Sequence, residues 1–208
     1  MCGQFGYLLT KRPDPRIVAA LGDENDLRGG DSWGFYTPSR GIVKRLGLIA
    51  EMGRNAFRDL TRSPVAIVHT RFATTGAVTK ANAHPWRIGG LVGSHNGVIS
   101  NHRELGGDFQ VDSMHLIKAI ANGAACAHLQ GWGAAQWMWQ HDPDIVYLCR
   151  FNGGEMAVKE TAEGYYWSST QRSLDDSVEG LDVELDEGII YALNLAYGVE
   201  PVGFLDVA

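Results

Sequence analysis

Three groups of residues in this sequence have the types and spacing needed to break an amide bond. Cys2 directly follows Met1, and trimming of Met before a small residue would expose it at the N-terminus. Its own α-amine, with an ordinary pKa of roughly 7.7–8.0, could then take the thiol proton, so nucleophile and base would sit on one residue. Taken alone, Cys2 also reads as a small apolar residue in a first strand. The second group is His69-Thr70-Arg71-Phe72-Ala73-Thr74-Thr75-Gly76, followed by Asn82-Ala83-His84-Pro85. An Arg at the end of an apolar strand offers a planar fork for a substrate carboxylate, or equally a structural partner for an internal acid. His84 reads as a contact residue or as packing. The third group is Ser94-His95-Asn96-Gly97-Val98-Ile99. A side-chain amide beside a glycine N–H makes a two-donor pocket for the oxyanion of acyl transfer, while the dipeptide alone more often marks a hairpin turn.

The elements that would carry these groups are legible in outline. Residues 2–9 read as a strand at the very start of the chain. Asp14-Pro15 supplies an N-cap and first-turn proline for a helix through Ala20, stopped at Gly22. Residues 23–32 read as a loop. Strands are expected at Trp33–Thr37 and Gly41–Leu46 around a turn at Pro38-Ser39-Arg40, with a helix over Arg54–Thr61. Pro64–His69 reads as a buried strand, and 70–86 as a long aperiodic segment of the kind that carries function. Leu91–Ile99 contains a strand that breaks at His95-Asn96-Gly97. Asp112 caps a helix whose buried face is Met114, Leu116, Ile117 and Ile120. Further strands follow at 131–139, 145–151, 155–159, 164–169, 189–195 and 201–205. Trp132, Trp137 and Trp139 make the first of these aromatic-rich. Strands and helices without regular alternation point to an α+β fold rather than a doubly wound sheet.

Composition narrows the function classes. The 208 residues carry a net charge of −6, and 45 % are hydrophobic, enough for a sizeable core in one domain spanning 1–208. No stripe of Lys and Arg marks a nucleic-acid surface. The N-terminus lacks the basic leader and apolar run of a signal peptide, and the apolar runs are strand-sized. Cys2, Cys126 and Cys149 are widely spaced and odd in number, so neither a disulfide framework nor a paired-cysteine zinc site is indicated. A reducing cytoplasm fits best. The seven histidines include no His-Glu-x-x-His pair, so no metal or cofactor is expected.

In chain order there is an N-terminal Cys, a His-Thr-Arg strand end, Asn-Ala-His-Pro, His-Asn-Gly, and an acid at a helix start. This series resembles the class II glutamine amidotransferase domain, an N-terminal-nucleophile hydrolase, and is most similar to the glutaminase domain of glucosamine-6-phosphate synthase. Gly30-Asp31-Ser32-Trp33-Gly34 looks like the family's Gly-Tyr-Asp-Ser-x-Gly segment, Gly131–Trp137 like its small-residue strand, and Trp167-Ser168-Ser169 like its Ala-Ser-Asp strand end. The resemblance implies a four-layer αββα sandwich. It implies that Cys2 attacks the carboxamide of glutamine, with Asn96 and Gly97 holding the oxyanion. Arg71 would then bind the α-carboxylate and Asp112 the α-ammonium. Phe72, Thr74 and Gly76 would belong to a loop over 72–80 that closes on substrate, with His84 beside the site. The family's Thr-His-Gly is Thr74-Thr75-Gly76 here, and its Trp after the Arg is Phe72. No phosphoribosyltransferase, sugar isomerase or ATP-binding segment follows, so the expected ammonia acceptor is a separate synthetase. The alternative is a free-standing amidohydrolase acting on another γ-glutamyl or related amide.

Overall fold

A strand with every residue buried needs cover on both faces of its sheet. β1 (Gly3–Leu9) is such a strand. Its odd residues, Phe5, Tyr7 and Leu9, pack with Val18, Leu21, Leu60 and Leu174 from helices. Leu8 points the other way, into a core shared with Val92, Ala134, Met138 and Val146 of a second sheet. Alternation of side chains across a strand therefore divides the molecule into layers. The computed structural model describes residues 1–123 and 128–207, so Cys126 lies outside the described residues.

The first sheet has seven strands. They are β1, β2 (Ser32–Thr37), β3 (Gly41–Leu46), β4 (Val65–Arg71), β9 (Ala157–Thr161), β10 (Gly164–Ser168) and β11 (Leu181–Val183), in the order β11-β9-β10-β1-β4-β2-β3. The second has six: β5 (Trp86–Ile88), β6 (Leu91–Ile99), β7 (Gly131–Trp139), β8 (Asp142–Phe151), β12 (Ile189–Asn194) and β13 (Gly198–Phe204), in the order β13-β12-β8-β7-β6-β5. Helices α1 (Pro15–Asp26), α2 (Arg54–Thr61) and α4 (Gln171–Asp175) cover the outer face of the first sheet, and α3 (Asp112–Ala121) covers that of the second. The result is the αββα sandwich that the resemblance implies.

Between the sheets the apolar core is crossed by a few polar links that fix their register. Gln4 of β1 donates from Nε2 to the Ala134 carbonyl of β7 at 2.9 Å, and its Oε1 accepts from Ser94 at 3.4 Å. Gln136 of β7 donates to the Val68 carbonyl of β4 at 2.8 Å and accepts from Trp167 Nε1 at 2.6 Å. Each buried amide finds a partner on the opposite sheet, so neither carries the cost of an unpaired buried polar group.

Several boundaries differ from the sequence reading, each for a physical reason. Asp14 does cap α1, accepting from Arg16 N–H at 2.8 Å with Pro15 in the first turn. The helix does not stop at Gly22 but runs on to Asp26. One glycine costs a helix only about 1 kcal/mol, and buried Leu21 and Asn25, the latter bonded back to the Leu21 carbonyl at 2.8 Å, outweigh it. α3 is capped by the Val111 position, and Asp112 is its first residue, with its carboxylate turned to Ile99. β6 does not break at Asn96-Gly97; it pairs with β7 from Leu91 to Ile99. β5, β11 and α4 are elements the sequence reading did not contain.

Candidate active site

Strand parity decides which side chains meet. Just ahead of β1, Cys2 continues the face of Gln4, toward the second sheet. On β4, His69 and Arg71 share the face of Ile67, again toward the second sheet, while Thr70 turns outward and donates to the Asn25 carbonyl at 2.8 Å. On β6, Ser94 and Asn96 share the face of Val92 and look back at the first sheet. The Cys2 thiol, the Arg71 guanidinium and the Asn96 amide thus come from the start of β1, from β4 and from β6, and converge at one end of the sandwich.

The thiol of Cys2 lies against the peptide beyond Arg71. Phe72 N–H donates to Sγ at 3.3 Å and Sγ donates to the Phe72 carbonyl at 3.4 Å. Burial pushes the thiol pKa up, while the Phe72 N–H, the chain terminus and Arg71 pull it down, and Asp112 opposes them. The protonated thiol therefore needs a nearby base. Arg28 donates to the Cys2 carbonyl at 3.0 Å and pairs with Glu155 at 3.1 Å, which holds the residue on its other side.

Asn96 is anchored to β1. Its Nδ2 donates to Ser169 Oγ at 3.1 Å, and that hydroxyl accepts from Gln4 N–H at 2.8 Å and donates to the Gln4 carbonyl at 3.2 Å. One of the two amide hydrogens is thereby spent and the other remains for a ligand. Gly97 has φ +153°, and a Cβ there would collide with the Trp132 carbonyl, so no side chain fits. Backbone N–H groups along β6 alternate between its edges. That of His95 goes to His84 Nδ1 at 3.3 Å and that of Ile99 to Asp112 Oδ2 at 2.8 Å. Gly97 lies midway between them, and its N–H is aimed at the same edge, which β5 has already left.

Arg71 is 2 % exposed. Its guanidinium donates to the carbonyls of Thr75, Gly76 and Ala77, so the loop that follows it folds back over its donors. Asp31 secures the base of this loop by accepting from Ala73 N–H at 2.7 Å. Phe72, Thr74 and Gly76 are on the loop, with Phe72 51 % exposed. In the same motif Gly34 leaves room for the His84 carbonyl, which a Cβ would strike. His84, expected beside the site, is buried. It stacks on His69 at 3.7 Å and touches Trp86 at 3.9 Å. Ser169, Arg28, Asp31 and His69 are supports that the sequence reading left unassigned. Among the described residues no group of three His, Cys, Asp or Glu side chains is arranged to hold a metal, and no helix is long and apolar enough to cross a membrane.

Burial lowers the pKa of His69 to about 3 and of His95 to about 4, and takes His84 well below the ordinary 6.5. Arg71 and Lys44 push His69 and His84 the same way, and Asp112 opposes the shift at His95. These rings are neutral in the fold and take protons in the unfolded chain below about pH 6.5. Their stabilising contribution is complete above that pH and is lost as pH falls, toward about 4 for His95 and about 3 for His69. His69 and His95 each cost about 1.4 kcal/mol per pH unit within this window, and His84 acts in the same direction. Urea midpoints at about pH 7.5 and about pH 5.5 should therefore fall steeply; equal midpoints would mean that the rings are protonated in place.

No family model matches the chain. Glutamine–fructose-6-phosphate aminotransferase [isomerizing] of Rhizobium leguminosarum bv. viciae is 32 % identical over 183 residues, which cover 76 % of this chain and 30 % of that enzyme. The enzyme of the same name from Rhizobium meliloti is 36 % identical over 175 residues, 72 % of this chain and 29 % of the relative. The chain thus matches less than a third of the length of these curated relatives. Glutamine phosphoribosylpyrophosphate amidotransferase from B. subtilis superimposes with a TM-score of 0.74 at 19 % identity, over 98 % of this chain and 49 % of that one. A structure described as the allosteric regulatory enzyme of purine biosynthesis gives 0.75 at 21 % identity, over the same shares. The shared sandwich and the sequence identity lead to one assignment: the chain belongs to the class II glutamine amidotransferase domains, of N-terminal-nucleophile type.

Proposed function

We propose that the chain, as one domain, hydrolyses the side-chain amide of glutamine through Cys2 and releases glutamate and ammonia. The observation that carries this reading is the convergence of the Cys2 thiol, the Arg71 guanidinium, and Asn96 with Gly97 at one end of two facing sheets. With Met1 removed, the α-amine of Cys2 takes the thiol proton and Sγ attacks the carboxamide carbon. The oxyanion forms between Asn96 Nδ2 and Gly97 N–H, donors already held in place and so needing little reorganisation as charge develops. The α-ammonium returns its proton to the leaving nitrogen, ammonia departs, and a γ-glutamyl thioester remains. Water, deprotonated by the same amine, releases glutamate and restores the thiol.

Recognition of the amino-acid head group follows from Arg71 and Asp112. A substrate α-carboxylate would replace three neutral loop carbonyls with one charged, two-bonded acceptor, the stronger partner for a guanidinium. The exchange frees the loop carrying Phe72, Thr74 and Gly76 to re-form over the bound molecule. Asp112 spends one acceptor on Ile99 N–H and keeps others for an α-ammonium. The ammonia would serve a synthase, whether in a longer chain or as a separate partner, and a reducing cytoplasm would keep the thiol competent. The test is release of glutamate and ammonia from glutamine by protein shown by intact mass to lack Met1. Turnover of a glutamine analogue with its α-carboxylate amidated, at a rate equal to that of glutamine, would remove the glutamine reading.

A further inference from the structure

Two histidines hold the peptide that precedes Asn96. β5 pairs with β6 only as far as Trp86 opposite Gly93, so the next outward-facing peptide of β6, at His95, has no strand beside it. Side chains take its place. His95 N–H donates to His84 Nδ1 at 3.3 Å, and the His95 carbonyl accepts from His69 Nε2 at 3.2 Å. A backbone N–H can only donate and a carbonyl can only accept, so His84 is neutral with its proton on Nε2, and His69 carries a proton on Nε2, its ring kept neutral by burial. The two rings stack on each other with planes 7° apart, and both are buried. His69 comes from β4 of the opposite sheet, two residues before Arg71.

We propose that His84 and His69 are positioning residues that fix the oxyanion donors, by clamping both backbone polar groups of His95, the residue immediately before Asn96 and Gly97. The inference rests on the amide-hydrolysis reading and adds two residues to its machinery without giving either a contact to substrate. The geometry of Asn96 and Gly97 is then set from two sides, by Ser169 on the amide and by the histidine pair on the backbone. Protonation of His84 at Nδ1 would oppose an N–H to an N–H and release the clamp; the groups facing the pair are His95, Arg71 and Lys44, and none supplies a compensating negative charge.

The two histidines use different nitrogens, which gives a test that packing cannot imitate. Asn carries its polar atoms near the position of Nδ1, and Gln near that of Nε2. At position 84 the clamp predicts that His84→Asn keeps most of kcat and that His84→Gln loses about tenfold or more, a displaced donor costing less than the roughly 10²–10³ of one removed outright. At position 69 the order reverses, with His69→Gln active and His69→Asn impaired. In the impaired variants KM for glutamine and the rate of Cys2 alkylation by iodoacetamide, which forms no oxyanion, should stay near wild type. Deuterium exchange at the His95 amide should show the same crossed order at position 84 without any substrate. That second readout survives if glutamine proves not to be the substrate, so failure of the clamp and failure of the functional reading are distinct. The same ranking of Asn and Gln at both positions, or parallel loss of alkylation and turnover, would overturn the proposal.

Discussion

Cys2→Ser is expected to lose amide hydrolysis by roughly 10⁴-fold or more, the scale seen when a nucleophile is removed from a unit that acts together. An amine with a pKa near 8 can share a proton with a thiol but cannot generate an appreciable alkoxide. Burial has already raised the Cys2 thiol, so the α-amine and the Phe72 N–H carry the activation, and neither is strong enough to activate a hydroxyl. The residue sits just ahead of β1 and contributes little to the core, so the urea midpoint of the variant should match wild type. Cys149→Ser, in β8 on the far side of the second sheet, should keep its turnover, as should Cys126→Ser. A Cys2→Ser protein with half of wild-type kcat would place the chemistry elsewhere.

Arg71→Lys is expected to lower kcat/KM for glutamine by about 100-fold, most of it in KM. The carboxylate contact is made in the ground state and the transition state alike, so its loss weakens binding more than chemistry. Breaking a charged, buried hydrogen-bonded contact costs on the order of 1.5–3 kcal/mol, or one to two decades. Lysine has one charged centre where the substrate needs a planar fork, so it recovers little. Arg71 also holds the loop through Thr75, Gly76 and Ala77, and the variant should show faster proteolysis within 72–80. Steady-state kinetics of the variant against glutamine decide the point. A change confined to kcat would mean that Arg71 acts on the reaction centre rather than on the head group.

Much of this arrangement was readable from residues whose chemistry is local. Asp14-Pro15 announces α1, and the unbroken apolar run Val65-Ala66-Ile67-Val68 announces a buried strand. Cys2, Arg71 and Asn96-Gly97 each carry a chemical type that amide hydrolysis needs. What stayed hidden depends on partners distant in sequence. Asn96-Gly97 reads as a turn until β7 supplies Ala134 and Gly133 opposite it. His69 and His84 look like unrelated packing residues until β5 is found to stop short of His95. Ser169 shows no function until it is seen between Asn96 and Gln4. β5 and β11, of three residues each, are too short for any alternation to register. Gly22 looked like a stop because nothing local reveals that Leu21 and Asn25 are anchored beyond it.

The proposed chemistry requires that Cys2, freed of Met1, is the nucleophile and that it acts on a glutamine-like substrate. A glutamine analogue bearing an electrophilic diazoketone in place of the amide tests it most directly, with the adduct located by peptide mass spectrometry. One adduct per chain is expected, on the peptide that begins with Cys2, formed only in protein lacking Met1 and slowed by excess glutamine. An adduct on Cys149 or Cys126, or equal labelling of Cys2 with Met1 still attached, would contradict it.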